Sequence, residues 1–269
     1  MSDFLDIRRG EAPLVISIPH SGSDIPAEFE PMFASLWLAR KDADWWLEKL
    51  YDFAGALGAT TIRTRISRSV IDCNRDPSGA SLYPGQATTE LCPTTSFDGE
   101  PLLRTAPPDD SDIERRRMLC FDPYHAAIAT ELERLRASNK RVVLYDAHSI
   151  RSSIPRLFDG VLPQFNIGTY DGASCDAALA TAVAARCVES GRSHVVNGRF
   201  KGGWTTRHYG RPQQGIHAIQ MELAIRGYHP EPDPPLPTTW PGHFDPAFSA
   251  PLTAALSTIL EACIAFARS

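Results

Sequence analysis

Several common functional motifs are missing from this 269-residue chain, and each gap removes a class of function. Neither G-x-G-x-x-G nor G-x-x-x-x-G-K-[ST] occurs, so a nucleotide cofactor has no support. No G-x-S-x-G elbow is present, which disfavours a serine hydrolase even though Ser21 and Ser149 each sit beside a histidine. The six cysteines are dispersed without a C-x-x-C pair, and in a chain of this length they do not read as a disulfide framework. Cationic excess is also lacking. Lys and Arg number 27 against 32 Asp and Glu, a formal charge of -5, which argues against a protein that coats nucleic acid. Aromatic and basic residues do not alternate as in single-strand binders. No run approaches 18 consecutive apolar residues, so no membrane span is expected. The start, MSDFLDIRRGEAP, lacks a basic-then-apolar leader pattern, and the expected compartment is the cytoplasm. No internal repeat is found.

What is present suits an enzyme-sized core. Hydrophobic residues make up 43% of the chain, enough for a sizeable core, and the length suits one large domain or at most two small ones, with a single domain spanning 1–269 expected. Apolar, β-branched runs at LVISI (14–18), 59–65, RVVLY (141–145) and IHAIQMEL (216–223) read as strands, with a shorter extended piece at 69–72 and further extended structure within 159–167. Helical spacing marks 42–57, stopped by Gly58. It also marks 110–138, capped from Asp110-Ser111-Asp112, then 174–189 with Gly191 just beyond, and an apolar helix over 246–267. Residues 73–111 are rich in Asp-Pro, Pro-Gly and Pro-Pro pairs and read as a long irregular insertion, a lid or an excursion. Strands alternating with helices predict an α/β layer fold on a mixed, largely parallel sheet, with its site at the carboxyl ends of the strands.

The residues with chemical potential gather at those ends. His20 and His148 each follow a buried apolar run, where neutral imidazoles can bind a metal. Asp146, two residues before His148, shares its face and can orient the ring. The plain alternative is a turn-capping His20 and a locally bonded His148. A third ligand is open among Asp24, Asp42 and Asp44. A carboxylate in the first turn of a helix also complements the helix dipole, and Asp44 on such a helix would give a rigid mount. Arg63, Arg65, Arg68 and Arg75 form a positive island in a net acidic chain, suited to gripping carboxylates bidentately unless it is merely a solvated strand. Lys201 and Arg207 lie in a second basic, glycine-rich stretch. Glu222, near the end of an apolar run, is costly to bury unless it is paired or near a metal. There it can serve as a general base. Ala218 and Gln220 share its face, while His217 points the other way unless a bulge intervenes.

Five stretches together resemble the N-formylglutamate amidohydrolase (formylglutamate deformylase) family: SIPHSGSDIP at 17–26, ISRSVIDCNRDPSG at 66–79, YDAHSI at 145–150, NGRFKGGWTTRHYG at 197–210 and GIHAIQMEL at 215–223. The resemblance spans roughly residues 10 to 265. It implies a three-layer, phosphorylase/hydrolase-like fold distantly related to zinc carboxypeptidases and aspartoacylase. It further implies a zinc or other divalent metal site, and hydrolysis of N-formyl-L-glutamate in histidine degradation. The implied substrate is a small acidic N-acyl amino acid; no nucleic acid or membrane partner is implied. His20 and His148 match the family's metal-binding histidines and Glu222 its general base. Asn74-Arg75 resemble its carboxylate-gripping pair. Ser23 stands where those relatives carry the metal-binding carboxylate, so the expected third ligand is Asp44, with Asp24 second. Arg68, then Arg65, is the expected oxyanion donor. Arg75 and Arg207 are expected on the substrate carboxylates, with His217 added to the substrate-binding set. A metallo-deacylase of other acyl specificity, or a non-catalytic binder of small acids, are the competing expectations.

Overall fold

The computed structural model describes residues 4–82 and 85–269; the first three residues and positions 83–84, inside the expected insertion, lie outside it. Among the described residues, seven strands form one sheet: β1 (Leu5–Arg8), β2 (Leu14–Ile18), β3 (Thr60–Thr64), β4 (Val142–Ile150), β5 (Phe165–Gly168), β6 (His194–Val196) and β7 (Ile216–Ala224). Their spatial order is β1-β3-β2-β4-β7-β5-β6. Pairings β2–β3, β2–β4, β4–β7 and β5–β6 are parallel, and β1–β3 and β5–β7 antiparallel. This is the mixed, largely parallel sheet that the sequence predicts.

The central strands read as continuous buried runs because both faces are covered. Leu14, Ile16, Val143, Tyr145, Ile219 and Met221 pack into one core with α4 (Ala177–Glu189) and α6 (Pro246–Arg268). The intervening Val15, Val142, Leu144 and Ala218 pack on the other face against α3 (Asp122–Arg136). Period-two alternation thus divides each strand between two helical layers. By length and composition α6 could cross a bilayer, yet its Leu252, Leu256, Ile259 and Leu260 stripe is buried in the core.

Local differences from the expected elements have identifiable causes. The 42–57 segment is not one helix. It breaks at Trp46 (φ 64°), leaving α1 (Leu47–Leu50) and a 3₁₀ stretch Asp52–Leu57. Trp46 donates its indole N–H to the Gly242 carbonyl, and Asp44 donates its backbone N–H to His20, so tertiary contacts override the local periodicity. Asp44 therefore sits in a turn ahead of α1 and not on a helix. The 69–72 piece is not a strand but a turn, closed by Val70 N–H donating to Ser67 and Asn74 N–H donating to the Asp72 carboxylate. β4 does not stop at Tyr145. In-register pairing with β7 continues to Ile150, which satisfies the backbone of the polar DAHS stretch. The 110–138 helix is capped by Asp109 and divided by a π-turn (Arg117–Phe121) into α2 (Asp110–Arg116) and α3. The short, half-exposed edge strand β6 had no marked pattern. The described part of the 73–111 insertion is irregular, but Leu91, Cys92, Phe97 and Leu102 are buried.

Since Leu256 lies fully inside the core, Leu256→Ala is expected to destabilise the fold by about 2–5 kcal/mol. In urea unfolding this appears as a lower midpoint with an unchanged slope. A loss below about 1 kcal/mol would contradict the packing of α6.

Candidate active site

The carboxyl ends of β2, β4 and β7 meet at one crevice on the α3 side of the sheet. β2 delivers His20 two residues past its end. Asp146 and His148 in β4, and Gln220 and Glu222 in β7, continue the faces of Leu144 and Ala218. His148 lies directly beside Glu222 in the parallel register.

His20, Asp44 and His148 are buried together, their ligand atoms all within 4.8 Å of one another. His20 Nδ1 and His148 Nδ1 are 3.1 Å apart, and Asp44 Oδ2 lies 3.4 Å from the second and 3.9 Å from the first. Ligand atoms about 2.0–2.1 Å from a tetrahedral ion are spaced about 3.3 Å apart, so this triangle can hold a metal ion. Carboxylates behind the rings set their direction. His20 Nε2 is 2.6 Å from Asp72 Oδ1, and His148 Nε2 is 3.1 Å from Asp146 Oδ2. Donation from His20 Nε2 to Asp72 turns the His20 Nδ1 lone pair toward the group, and His148 presents its own Nδ1 to the same point. Asp44 Oδ2 accepts from Ser149 N–H at 3.0 Å, whereas the buried Oδ1 has no hydrogen-bond partner among the described residues. The cation beside that oxygen is the Arg68 guanidinium, with Nη1 3.7 Å away.

Both supporting carboxylates are themselves held. Asp146 Oδ1 accepts from Ser17, and Thr206 lies 3.4 Å from Oδ2. Asp72 accepts from Arg68 Nη2 at 2.6 Å and from Asn74 N–H at 2.8 Å. Burial opposes the Asp72 charge, but His20, Arg68 and Arg75 hold its carboxyl well below the usual range. Burial, then Arg68, lowers His20 to about 4, which keeps its imidazole neutral. Burial pushes Glu222 up to about 8 against the opposing pull of His148. Asn74 lies 2.9 Å from His148 Nε2, and its Oδ1 accepts from Thr205 N–H in α5 (Trp204–Tyr209). Gly203 is required there, because a Cβ would stand 2.3 Å from the Asn74 amide.

His20, His148, Asn74 and Glu222 line a cavity enclosing about 600 Å³, mouth included. Three arginines, Arg68, Arg75 and Arg199, reach it, and Phe97, Ile150, Leu157 and Phe200 supply apolar wall. Four expected residues are elsewhere. Asp24 and Arg65 pair with each other at 3.3 Å, both about half exposed, outside the cavity lining. The sheet's twofold alternation places His217 on the opposite face, against Phe266 and the Asp176 N–H. Arg207 lies over the Tyr170 ring and donates to the Gly202 and Leu82 carbonyls. Sequence reasoning missed Asp72 and Arg199. Asp72 interrupts the apolar run SVIDC, a buried-charge signal of the kind that singled out Glu222. Arg199 shares the glycine-rich stretch with Arg207, and nothing local separates the two.

Asp72→Asn is expected to weaken divalent metal binding about 10–100-fold, and Asp24→Asn to leave it unchanged, in competition titrations with a chromophoric chelator. Equal effects of the two substitutions would contradict the assignment.

A family model described as N-formylglutamate amidohydrolase matches residues 12–229. An N-formylglutamate deformylase of Pseudomonas aeruginosa is 48% identical over 237 residues, covering 87% of this chain and 88% of that one. One from Pseudomonas putida is 47% identical over 239 residues with the same coverage. The crystal structure of an N-formylglutamate amidohydrolase from Ralstonia eutropha JMP134 superposes with a TM-score of 0.80 over 98% of both chains at 23% identity. An Agrobacterium tumefaciens gene product superposes at 0.73 over 98% of this chain and 96% of that one, with 17% identity. At such identities the structures speak to the fold, while the family match and the two close relatives place the sequence: this chain belongs to the N-formylglutamate amidohydrolase family.

Proposed function

We propose that the chain hydrolyses N-formyl-L-glutamate to formate and L-glutamate, using a divalent metal, zinc first, held by His20, Asp44 and His148. The observation that carries this reading is the convergence of that group, one buried glutamate and three arginines on a single cavity. Relatives of 47–48% identity that are named N-formylglutamate deformylases support the same substrate. Two imidazoles and one carboxylate form the donor set of hydrolytic zinc sites. When bound, the metal supplies a Lewis acid and a water acidified toward neutrality.

The side chains divide the remaining work. Glu222 takes a proton from the attacking water as its oxygen bonds to the formyl carbon. It then returns that proton to the amide nitrogen as the C–N bond breaks, releasing formate and the amine. Burial, which raises its affinity for a proton against the pull of His148, suits a group that must accept one and hand it back. Arg68, held by Asp72, presents its guanidinium to the charge that develops on the formyl oxygen. Arg75 and Arg199, which line the cavity and donate to the Thr89, Leu157 and Ala87 carbonyls, are our choices for the two glutamate carboxylates, since planar guanidinium groups match carboxylates. Arg207 braces the Leu82 segment, and Asn74 holds His148 against α5. The six free, buried cysteines suit a reducing compartment such as the cytoplasm.

Formate and glutamate are expected in equal amounts from N-formyl-L-glutamate, with turnover lost to a chelator and restored by a divalent metal. Binding without release of formate, metal present, would favour a non-catalytic acid-binding domain. Glu222→Gln should lower kcat about 10²–10⁴-fold with metal content retained. Normal turnover in that variant would remove Glu222 as the base. Arg199→Ala should raise KM about tenfold or more, the worth of a charged hydrogen bond, and more than Arg207→Ala does.

A further inference from the structure

The cavity has an apolar side next to the metal group and Arg68. Phe97 and Ile150 close it, both almost fully buried and both members of one apolar cluster with Ile154, Leu162 and Ala224. Ile150 is two residues beyond His148 on the same face of β4, so it stands beside the metal-binding ring. Phe97 lies across the Arg68 guanidinium, 4.8 Å from ring centre to the central carbon.

Phe97 is held there from several directions. Its backbone N–H donates to Asp42 Oδ2 at 2.6 Å. The next residue, Asp98, accepts from Lys41 Nζ and Arg151 Nη2, both at 2.6 Å. Arg156 donates to the Ser96 carbonyl at 3.2 Å, and Gly99, at φ 91°, closes the turn by donating to the same carbonyl. This turn belongs to the irregular insertion, yet charged groups from the turn before α1 and from the end of β4 fix it in place.

We propose that Phe97 and Ile150 form an acyl-group wall that restricts the substrate to the formyl group. This inference rests on the deformylase reading. At the carbon under attack four substituents point apart. One oxygen faces Arg68 and the metal group, and the incoming oxygen comes from the Glu222 side. The nitrogen leads toward Arg75 and Arg199, which take the glutamate portion. The fourth direction meets Phe97 and Ile150. A hydrogen fits against such a wall, while a methyl group meets side chains held too firmly to retreat. The selectivity is then steric exclusion of the larger competitor, without any added attraction for formyl.

The test compares kcat/KM for N-formyl-L-glutamate and N-acetyl-L-glutamate in the metal-loaded wild type, Phe97→Ala and Ile150→Ala. The wild type should strongly prefer the formyl compound. In at least one variant kcat/KM for the acetyl compound should rise, and the acetyl-to-formyl ratio should increase about tenfold or more, since a methyl-sized change in an apolar pocket is worth about that much. The smaller cuts Phe97→Leu and Ile150→Val are made alongside and should shift the ratio in the same direction, so a variant that folds poorly does not decide the matter. An unchanged ratio across the variants that still turn over the formyl compound overturns the wall, as does a wild type that uses both compounds equally. A wild type with no turnover of the formyl compound overturns the deformylase reading itself.

Discussion

Everything at the site depends on two histidine–carboxylate pairs. Asp72 stands behind His20, and Asp146 with the Asn74 amide stands behind His148, so the Nδ1 of each ring faces the cavity. With both Nδ1 atoms directed inward at 3.1 Å, the rings and Asp44 form a group that can hold a metal ion. His20 released from Asp72 would be free to change tautomer or to turn away. Asp146 is held by Ser17 and Thr206, and Asp72 by Arg68 and the Asn74 N–H, with Arg68 and Arg75 favouring the ionised form of Asp72. The metal group is thus the inner layer of a polar network that runs through the α3 side of the molecule.

The same constraint explains features of the fold that otherwise look unfavourable. β4 carries Asp146, His148 and Ser149 fully buried in a central strand. Such residues are tolerated because each finds a partner: Ser17 for Asp146, Asn74 for His148, and Tyr228 for the Ser149 hydroxyl. Asp44 reaches the crevice from a turn stabilised by tertiary contacts, with Trp46 in a left-handed conformation next to it. Strain of that kind persists where surrounding contacts over-determine the chain, as in functional turns.

Much of this was legible in the sequence. The strand runs at 14–18, 141–145 and 216–223, and the alternation that separates Glu222 from His217, survive into the structure. So does the clustering of His20 and His148, because strand ends in a parallel sheet converge by topology. Contacts between segments distant in sequence were not legible. Periodicity over 42–57 predicts one helix, and only the pairing of Asp44 with His20 and of Trp46 with Gly242 breaks it. Arg207 and Arg199 belong to the same glycine-rich stretch and both donate to backbone carbonyls, and that only Arg199 also lines the cavity follows from the path of the chain around α5. The arginine island at 63–75 likewise divides. Arg68 and Arg75 enter the cavity, while Arg63 and Arg65 pair with Asp6 and Asp24 near the edge of the sheet.

X-ray absorption on the zinc-loaded protein tests the chelate most directly. Two imidazole nitrogens and carboxylate or water oxygens at about 2.0–2.1 Å are expected, with one ion per chain. A shell with fewer than two imidazoles, or with sulfur near about 2.3 Å, would contradict it.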